Sequence, residues 1–522
     1  MVGLLARPGF SVTIAAKPVH CDCLCSLVER FQSMALQVKK ENSWQIMRLR
    51  LNNPEKLPES SRESQLSQSP SRSSPGSARI LLIVLSLWIC LFGFNRSVAL
   101  EAVEGIDDSL LPEDFSQVHF YLITVDVGNM LWDNFGHTAL RVVDETNGSD
   151  TVFNWGLFDT SGGLASFSFN FFKGIMNYQL GTNTPAAEFS MYRQQQRTVW
   201  QEKIHLNNRQ KEILFKRLLW NGRPENIVYP YHYFDDNCTT RVRDYLDEAL
   251  SGKIFAAANV PTGNTYRDLV KYHYRSIPLI ELSLDLLMNS NIDRTVSQWE
   301  EMFLPLSLRA HLLALSSDVA IGGQQQPLLS ESSVIMEFPT PQAQANPYYF
   351  AGTVLLAPTL LMLLLLQKVS MSYFATHSRI TLKVPGLSFR LLGLVGLLVA
   401  LVSGIYGCLM LGGWFFSGHE DLYSNVNLLL FWPTDLLGVV VACRWLVLAK
   451  PWPLTHNSSP FVNYYMLARI LSILVYAVLA GFQLTAQELQ TLLITLVPGT
   501  LLFLVLVWIV GFEPARSKNL LL

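Results

Sequence analysis

The chain has 522 residues, of which 50% are hydrophobic and only 15% are charged, and its formal net charge is −2. So few charges exclude an ordinary soluble protein and indicate a membrane protein with a soluble part. The near-zero net charge gives no indication of a nucleic-acid partner, so we expect none.

The N-terminal part is unlike the remainder. Residues 1–78 form a leader whose stretch PESSRESQLSQSPSRSSPGSAR is rich in Ser, Pro and Arg, which predicts disorder. Residues 79–100 contain the apolar run ILLIVLSLWICLFGF, which is short for a membrane span and typical of a signal peptide or signal anchor. Cys21, Cys23 and Cys25 have C-x-C-x-C spacing without a ligand-rich segment nearby, so we expect no metal site.

Residues 101–348 are mostly polar and long enough to bury a core of their own. Alternating apolar and β-branched residues predict strands over 118–126, 137–144 and 151–156. Helices are predicted over 206–222, which has an Asn start and a Gly stop, and from Asn237 through Leu250. These elements predict an α+β domain with a small antiparallel sheet.

The stretch LASFSFNFFKGIMNY at 164–178 alternates aromatic and small polar residues. This pattern favours a buried strand. Two alternatives stay open: an apolar wall for an acyl chain, and a segment that dips into the membrane interface, where aromatic rings are stable.

Five apolar runs follow, each near the roughly 20 residues that a helix needs to cross the hydrocarbon. They cover 349–367, 391–416, 426–448, 463–481 and 491–511. We therefore expect residues 349–522 to form an all-α, five-span transmembrane bundle.

The charges of the loops between these runs predict their orientation. Lys and Arg occur in alternate loops and in the tail, at Lys368, Arg379, Lys383, Arg390, Arg444, Lys450, Arg516 and Lys518. The intervening loops SGHEDLYSNVN and FQLTAQELQ contain neither residue. The positive-inside rule then places the C-terminus in the cytoplasm and residues 101–348 on the outer side of the membrane.

Cys238 is the candidate nucleophile of the exported segment. It directly follows Asn237, the expected N-cap of a helix. A thiol in the first helical turn lies beside unsatisfied N–H groups and the positive end of the helix dipole, which favours the thiolate. A free cysteine that packs under the helix start as a small apolar residue is an equally supported interpretation.

A thiolate nucleophile needs a base, and that base needs an orienting group. The exported segment contains six histidines: His119, His137, His205, His232, His273 and His311. His137 is the best candidate because it opens a strand directly after a Gly, whereas His232 is a runner-up that lies among tyrosines that include Tyr233. Asn154 lies in the next strand and would reach His137 if the two strands pair. Strand-end hydrogen bonding for His137 and a solvent-facing position for Asn154 are the alternatives.

In this order the motifs FGHTALRV, VFNWG and YPYHYFDDNCTTRVRDYLD resemble the periplasmic domain of bacterial Lnb-type lipoprotein N-acyltransferases. The resemblance covers about 115–315, includes WEEMFLP at 299–305, and continues into the membrane bundle. More distantly the segment is similar to permuted NlpC-like and lecithin:retinol acyltransferase-like cysteine enzymes, in which the histidine strand precedes the cysteine helix. Papain-like enzymes have the opposite order, so the implied fold is a permuted NlpC/papain-like one. The expected fold is thus an antiparallel sheet with Cys238 at a helix N-terminus, followed by the transmembrane bundle.

The resemblance assigns Cys238 as nucleophile and His137 as base, whereas Asn154 as orienter rests on strand order alone. We expect Asn237 and Tyr233 to support this catalytic group. The family also has a histidine, paired asparagines and a proline in an outward loop that enters a span. In this chain they are His419, Asn425, Asn427 and Pro433, and ordinary capping of a span is the alternative role for the asparagines.

The resemblance implies a membrane-bound acyltransferase without a cofactor. It also implies that this enzyme is a multi-pass protein of the bacterial inner membrane with its catalytic domain in the periplasm. A phospholipid would donate a fatty acyl chain to Cys238, and the α-amine of a diacylated lipoprotein would accept it from the thioester. Two rivals remain: a membrane-anchored cell-wall cysteine peptidase or amidase, and a non-enzymatic membrane scaffold.

Overall fold

The computed structural model describes residues 106–158, 163–321, 324–367 and 386–513. Leu100–Leu522 form one compact unit. Four predictions fall outside the described residues. They concern the leader, residues 79–100, the cysteines at 21–25, and the basic residues of the loop 368–385 and of the tail after 513.

The centre of the exported part is a seven-stranded antiparallel sheet with the strand order β11-β5-β1-β2-β3-β4-β6. The three predicted strands form its middle as β1 (Val118–Val125), β2 (His137–Asp144) and β3 (Ser149–Leu157). The other members are β4 (Asn177–Asn183), β5 (Val199–Ile204), β6 (Val228–Pro230) and β11 (Leu329–Met336). The α+β prediction is confirmed.

Helices cover both faces of this sheet. They comprise α1 (Gly163–Lys173), α2 (Pro185–Gln194), α3 (Asn208–Asn221), α4 (Cys238–Ala249), α5 (Lys253–Ala258), α6 (Tyr266–Tyr274), α7 (Pro278–Leu287), α8 (Gln298–Glu301) and α9 (Pro305–Ala314). Two small two-stranded sheets pair β7 (Pro261–Thr265) with β8 (Thr295–Ser297) and β9 (Ser316–Ile321) with β10 (Gln324–Pro327). The predicted helices at 206–222 and 237–250 are confirmed as α3 and α4.

The packing of α4 against the sheet places its first residue at a sheet edge. The fully buried ring of Trp155 packs edge-on against Tyr245 of α4, with ring centroids 5.7 Å apart. Asn221 of α3 accepts hydrogen bonds from the Trp155 indole, at 2.7 Å, and from the Tyr245 hydroxyl, at 2.8 Å. One buried amide thereby satisfies both polar groups and fixes α4 against β3.

The stretch 164–178 is not the strand that its alternation favours. It contains the helix α1, and only its last residues enter β4. Phe169 and Ile175 are exposed, whereas Met176 and Tyr178 at the end of the stretch are buried in the core of the sheet. The alternation of aromatic and small residues was misleading because an aromatic-rich helix without a buried face shows no clear 3.6-residue period.

The C-terminal part is helical. Among the described residues, three helices are long and apolar enough to cross a membrane: Pro347–Leu364 within α10 (Pro347–Gln367), α11 (Gly386–Phe416) and α13 (Ser458–Gly481). The shorter helix α12 (Gly438–Leu448) lies between α11 and α13 in the sequence. The predicted run 426–448 is instead a pair of helical stretches, Glu420–Leu429 and Pro433–Leu448, bent by 59°. The run 491–511 divides into α14 (Gln490–Thr495) and α15 (Val497–Val510), and β12 (Trp452–Pro453) pairs with β13 (Phe512–Glu513) beside it. The count of five spans therefore stays a prediction.

Close packing around the bend depends on small residues of α11. A Cβ added at Gly407 would lie 2.6 Å from the Pro433 nitrogen, and one at Gly404 would lie 2.3 Å from Leu436 Cγ. Glycines that allow such approach are typical of helix contacts inside membranes.

Candidate active site

His137 is positioned by a glycine and by strand pairing. Gly136 has a φ of +86°, and a Cβ there would lie 2.7 Å from the carbonyl oxygen of Val125, so a side chain is excluded sterically. His137 pairs with Val125 at the end of the β1–β2 ladder. The imidazole therefore lies where β2 begins, at the edge of the sheet that is formed by the strand ends, as its place after a Gly predicts.

Asn154 contacts the His137 ring from the neighbouring strand. The β2–β3 register pairs Asn154 with Ala139, two residues along from His137. This diagonal places the Asn154 amide oxygen 3.0 Å from His137 Nε2, and Asn154 is only 4% exposed. Since Nε2 is engaged by an acceptor, it carries the proton, and Nδ1 is the nitrogen left for a second partner.

Cys238 is the first residue of α4, and Asn237 caps the helix. The Asn237 amide oxygen accepts hydrogen bonds from the N–H groups of Thr239, at 2.8 Å, and Thr240, at 2.9 Å. Its amide nitrogen donates to the carbonyls of Tyr233, at 2.9 Å, and Phe303, at 3.0 Å. Asn237 thus fixes the helix start and ties it to two other segments, which confirms its predicted place as the N-cap.

The thiol of Cys238 and the imidazole of His137 form a coupled pair. Burial raises the pKa of the Cys238 thiol, but the charge of His137 and hydrogen bonds from His137, the Thr138 backbone and Thr239 outweigh burial and lower that pKa to about 7. Burial lowers the pKa of His137, whereas the charge and hydrogen bond of Cys238 and the Asn154 bond raise it overall. Both shifts favour a thiolate–imidazolium pair.

The surroundings of Cys238 are partly open and partly aromatic. Cys238 is partly exposed. On β3, Gly156 has a φ of +85°, and a Cβ there would lie 3.8 Å from the Cys238 Cβ and 3.9 Å from the Tyr231 ring. The Tyr231 ring stacks on Tyr178 with centroids 4.3 Å apart, so aromatic surface borders the thiol.

A buried group behind His137, formed by Tyr192, Arg197 and Asp133, is not predicted by the sequence patterns. The Tyr192 ring centroid lies 6.3 Å from that of His137, and the Arg197 guanidinium lies 5.8 Å from the Tyr192 ring. Arg197 forms an ion pair with Asp133 at 3.2 Å, and both side chains are more than nine-tenths buried. Apolar periodicity would assign Tyr192 to the core of α2, and no local signal links it to His137, since the contact depends on the tertiary fold.

The other histidines of the exported part lie away from the thiol. His232 Nδ1 is 3.2 Å from an Asp235 carboxylate oxygen, and its ring stacks on Tyr233 at 4.6 Å. His119 pairs with Glu145 and His205 with Ser330, while His273 contacts the Asn134 carbonyl. Among the described histidines, His137 is the one that the structure brings to Cys238.

Tyr233 and His419 lie between the exported part and the membrane helices. The Tyr233 hydroxyl donates to the Asp421 carboxylate, and its ring centroid is 5.4 Å from that of His419. His419 Nε2 is 2.6 Å from the carbonyl oxygen of Phe171 in α1. Neither side chain is bonded to Cys238, so their connection to the thiol passes through the Tyr233 carbonyl that accepts from Asn237.

Asn425 and Asn427 fasten the bent segment to α7. The Asn425 amide donates to the carbonyls of Leu286, at 2.9 Å, and Leu287, at 2.8 Å, and Asn427 donates to Leu286 at 3.0 Å. Gln487 completes the group by donating to the Asn425 amide oxygen at 3.0 Å. The structure therefore places the paired asparagines at a junction between the two parts of the molecule, where they bind backbone carbonyls.

The bend that begins at Pro433 contains a buried ion pair. Arg469 of α13 donates to Asp435 at 2.8 Å and to the carbonyl oxygens of Leu429, at 3.2 Å, and Leu430, at 2.9 Å. The Leu429 carbonyl also accepts a hydrogen bond from the Ser472 hydroxyl of α13 at 2.7 Å. Side chains of α13 thus satisfy carbonyls at the end of a helical stretch, where an unpartnered carbonyl in an apolar surrounding would be costly. Arg469 thus stabilises the break.

A family model described as the Lnb N-terminal periplasmic domain matches residues 113–272. The match contains His137, Asn154 and Cys238, and it confirms the resemblance to Lnb-type proteins for this segment. No curated protein and no solved structure matches the chain. The protein is accordingly a membrane protein with a periplasmic domain, in which residues 113–272 are similar to the Lnb N-terminal periplasmic domain.

Proposed function

We propose that the protein is a membrane-bound cysteine acyltransferase that moves a fatty acyl chain from a phospholipid to the α-amine of a lipoprotein N-terminal cysteine. The observation that carries the proposal is the joining of Cys238, His137 and Asn154 at one sheet edge, in a compact unit that includes apolar helices of membrane-spanning length. Donor and acceptor are both lipid-anchored, and a soluble enzyme would have to extract each chain at about 0.8 kcal/mol per methylene.

In the first half-reaction the Cys238 thiolate attacks the ester carbonyl carbon of the lipid. The new carbon–sulfur bond gives a tetrahedral oxyanion at the positive end of α4, where the Cys238 N–H has no acceptor among the described residues. As the carbon–oxygen bond to glycerol breaks, His137 donates its proton to the leaving oxygen, which yields a lysolipid and the Cys238 thioester.

In the second half-reaction the lipoprotein amine attacks the thioester carbonyl. Neutral His137 accepts the proton that the amine loses, the carbon–nitrogen bond forms, and the carbon–sulfur bond breaks. The product is an N-acylated lipoprotein, and the thiolate–imidazolium pair is restored. Asn154 holds the ring through both steps because it accepts a hydrogen bond from His137 Nε2.

Mass spectrometry of lipoprotein N-termini tests the proposal. Cells that lack other N-acyltransferases would express the wild-type chain, Cys238→Ala or the control Cys443→Ala, which changes an exposed cysteine on α12. We expect one additional acyl mass with the wild type and the control and none with Cys238→Ala at equal protein level.

No added mass with any of the three chains, despite stable membrane expression, would contradict acyl transfer to lipoproteins. Cleaved cell-wall peptides in the same cells would then support the peptidase or amidase alternative, which uses the same cysteine and histidine.

A further inference from the structure

The C-terminus of α1 is attached to the end of a candidate membrane span. Three successive carbonyls of α1 accept hydrogen bonds from the segment that follows α11: Phe171 from His419 at 2.6 Å, Phe172 from the Ser417 hydroxyl at 2.6 Å and Lys173 from the Gly418 N–H at 2.9 Å. The last carbonyls of a helix have no partner within that helix. Phe171 also accepts from the Gly174 N–H at 2.9 Å, but the other partners of these three carbonyls come from the segment after α11, so α1 is held at a defined level relative to that helix.

That level is the outer boundary of the hydrocarbon. α11 has 31 residues, and at 1.5 Å per residue it is longer than the roughly 30 Å hydrocarbon core. Arg390 lies near its start on the predicted cytoplasmic side, and about 20 residues beyond Arg390 reach the last turns of α11. There a Cβ added at Gly412 would lie 3.5 Å from the Phe172 ring.

The exposed surface at this level is aromatic. Phe169 of α1 is 62% exposed and Ile175 just after α1 is 49% exposed, while Phe415 and Phe416 at the end of α11 are 67% and 71% exposed. The Lys173 ammonium lies 5.6 Å from the Phe169 ring centroid. Aromatic rings beside a long cationic side chain are typical of the membrane–water interface.

A chain of contacts connects this surface with the catalytic cysteine. The Phe171 ring centroid lies 6.5 Å from that of Tyr233 and 5.3 Å from that of His419. The Tyr233 carbonyl accepts the hydrogen bond from Asn237, whose side chain caps the helix that begins at Cys238.

We propose that α1, with Ile175 and the outer end of α11, is a lipid-binding surface that holds the acyl chains of an outer-leaflet phospholipid beside the active site. The occupant is a phospholipid because the surface continues the lipid-facing side of α11 at the bilayer boundary. The contact with lipid stands by itself, whereas delivery of the chain to Cys238 rests on the proposed acyltransferase function.

Photo-crosslinking of the full-length chain tests the contact. The chain would carry p-benzoylphenylalanine at position 169, or at the control position 255, in vesicles of phosphatidylethanolamine and phosphatidylglycerol. Phe255 is 46% exposed, follows the far end of α4 and packs on Trp299. We expect about tenfold more phospholipid adduct at position 169, the factor for one apolar side chain that moves from water into lipid.

Equal adduct formation at the two positions would overturn the proposal. A second vesicle preparation contains a diacylated lipopeptide in equal amount with the phospholipid. Adducts at position 169 that form mainly with the lipopeptide would overturn the choice of phospholipid as occupant.

Acylation of Cys238 tests delivery. The double variant Phe169→Asp with Ile175→Asp should lower thioester formation from vesicle phospholipid about tenfold, while alkylation of Cys238 by iodoacetamide and acylation in the control Phe255→Asp stay unchanged. Unchanged acylation in the double variant would overturn delivery through α1. Lipid adducts at position 169 in a wild-type chain that forms no thioester would support the lipid surface and contradict the acyltransferase function.

Discussion

Two groups of polar side chains, one at the edge of the sheet and one at the junction with the bent segment, use asparagine for different purposes. At the sheet edge, Asn154 binds the ring of His137, whose charge in turn lowers the pKa of the partly exposed Cys238 thiol. At the junction, Asn425 and Asn427 bind only backbone carbonyls and other neutral groups, and both are almost fully buried. Asn154 can therefore influence proton transfer because it contacts His137, whereas, among the described residues, Asn425 and Asn427 contact no group that exchanges protons.

His419 belongs to the second kind. Burial lowers its pKa, its Nε2 contacts the Phe171 carbonyl, and the described contacts connect it with α1 and Tyr233. We therefore assign it a positioning role. Two measurements distinguish the sheet-edge group from the junction group: the reactivity of Cys238 and the stability of the fold.

Removal of the base should have the largest effect. His137→Ala removes the group that accepts and returns the proton, and general acid–base catalysis contributes about 10²–10⁴-fold to rate. We expect acyl transfer to fall by that factor, measured by single-turnover thioester formation in vesicles. The runner-up variant His232→Ala serves as the control, and an equal loss there would contradict the assignment of the base.

Removal of the orienting amide should have an intermediate effect. Asn154→Ala leaves His137 Nε2 without its acceptor, and a hydrogen bond to a charged group contributes about 1.5–3 kcal/mol. This corresponds to about tenfold to hundredfold in the rate of thioester formation. Asn154→Gln retains an amide and should recover part of the rate, and a wild-type rate in Asn154→Ala would show that the amide has no catalytic role.

The pH profile of Cys238 should show a smaller but diagnostic effect. A thiol with a pKa of about 7 is half thiolate near pH 7, so its alkylation rate should rise from pH 5 to pH 8 with a midpoint near 7. In His137→Ala only burial and the remaining hydrogen bonds act, so the midpoint moves upward. At pH 7 alkylation should then be roughly fivefold to tenfold slower, because the smaller thiolate fraction is partly offset by greater nucleophilicity.

Peptide mapping keeps this measurement specific, since Cys408 and Cys443 are also exposed. Asn427→Ala should leave the midpoint near 7. A midpoint that stays at 7 in His137→Ala would contradict the coupling between the thiol and the imidazole.

The sheet-edge group was predictable because its signals are local. The alternation of 137–144 and 151–156 gives two neighbouring strands, and their pairing brings Asn154 to His137. Asn237 before Cys238 is a direct capping signal. Local patterns therefore predict Cys238, His137 and Asn154 of the candidate site. The contact between Tyr192 and His137 depends on how α2 packs, so local patterns do not predict it.

The bend and the helix α1 were not predictable from local patterns. The run 426–448 is apolar enough for one straight span, and Pro433 alone does not determine whether a helix kinks or breaks. Arg469 and Ser472 bind carbonyls about forty positions away in sequence, and these contacts satisfy the carbonyls before the break. α1 leaves Phe169 and Phe171 exposed, so burial in a protein core is not what determines the position of these rings.

The junction group should give the smallest change in reactivity and a clear change in stability. Asn425→Ala removes the partner of the Leu287 carbonyl and of the Gln487 amide N–H, at a cost of about 1–3 kcal/mol, whereas the Leu286 carbonyl keeps its hydrogen bond from Asn427. We expect thermal unfolding of the detergent-solubilised chain to shift downward accordingly. Alkylation of Cys238 at pH 7 should stay within about twofold of the wild type, because no proton-exchanging group of the site contacts Asn425. Asn264→Ala, an exposed position in the exported part, is the matched control and should cost at most about 0.5 kcal/mol. A large loss of thiol reactivity in Asn425→Ala without loss of stability would mean that the junction takes part in the chemistry and that the two groups are one site.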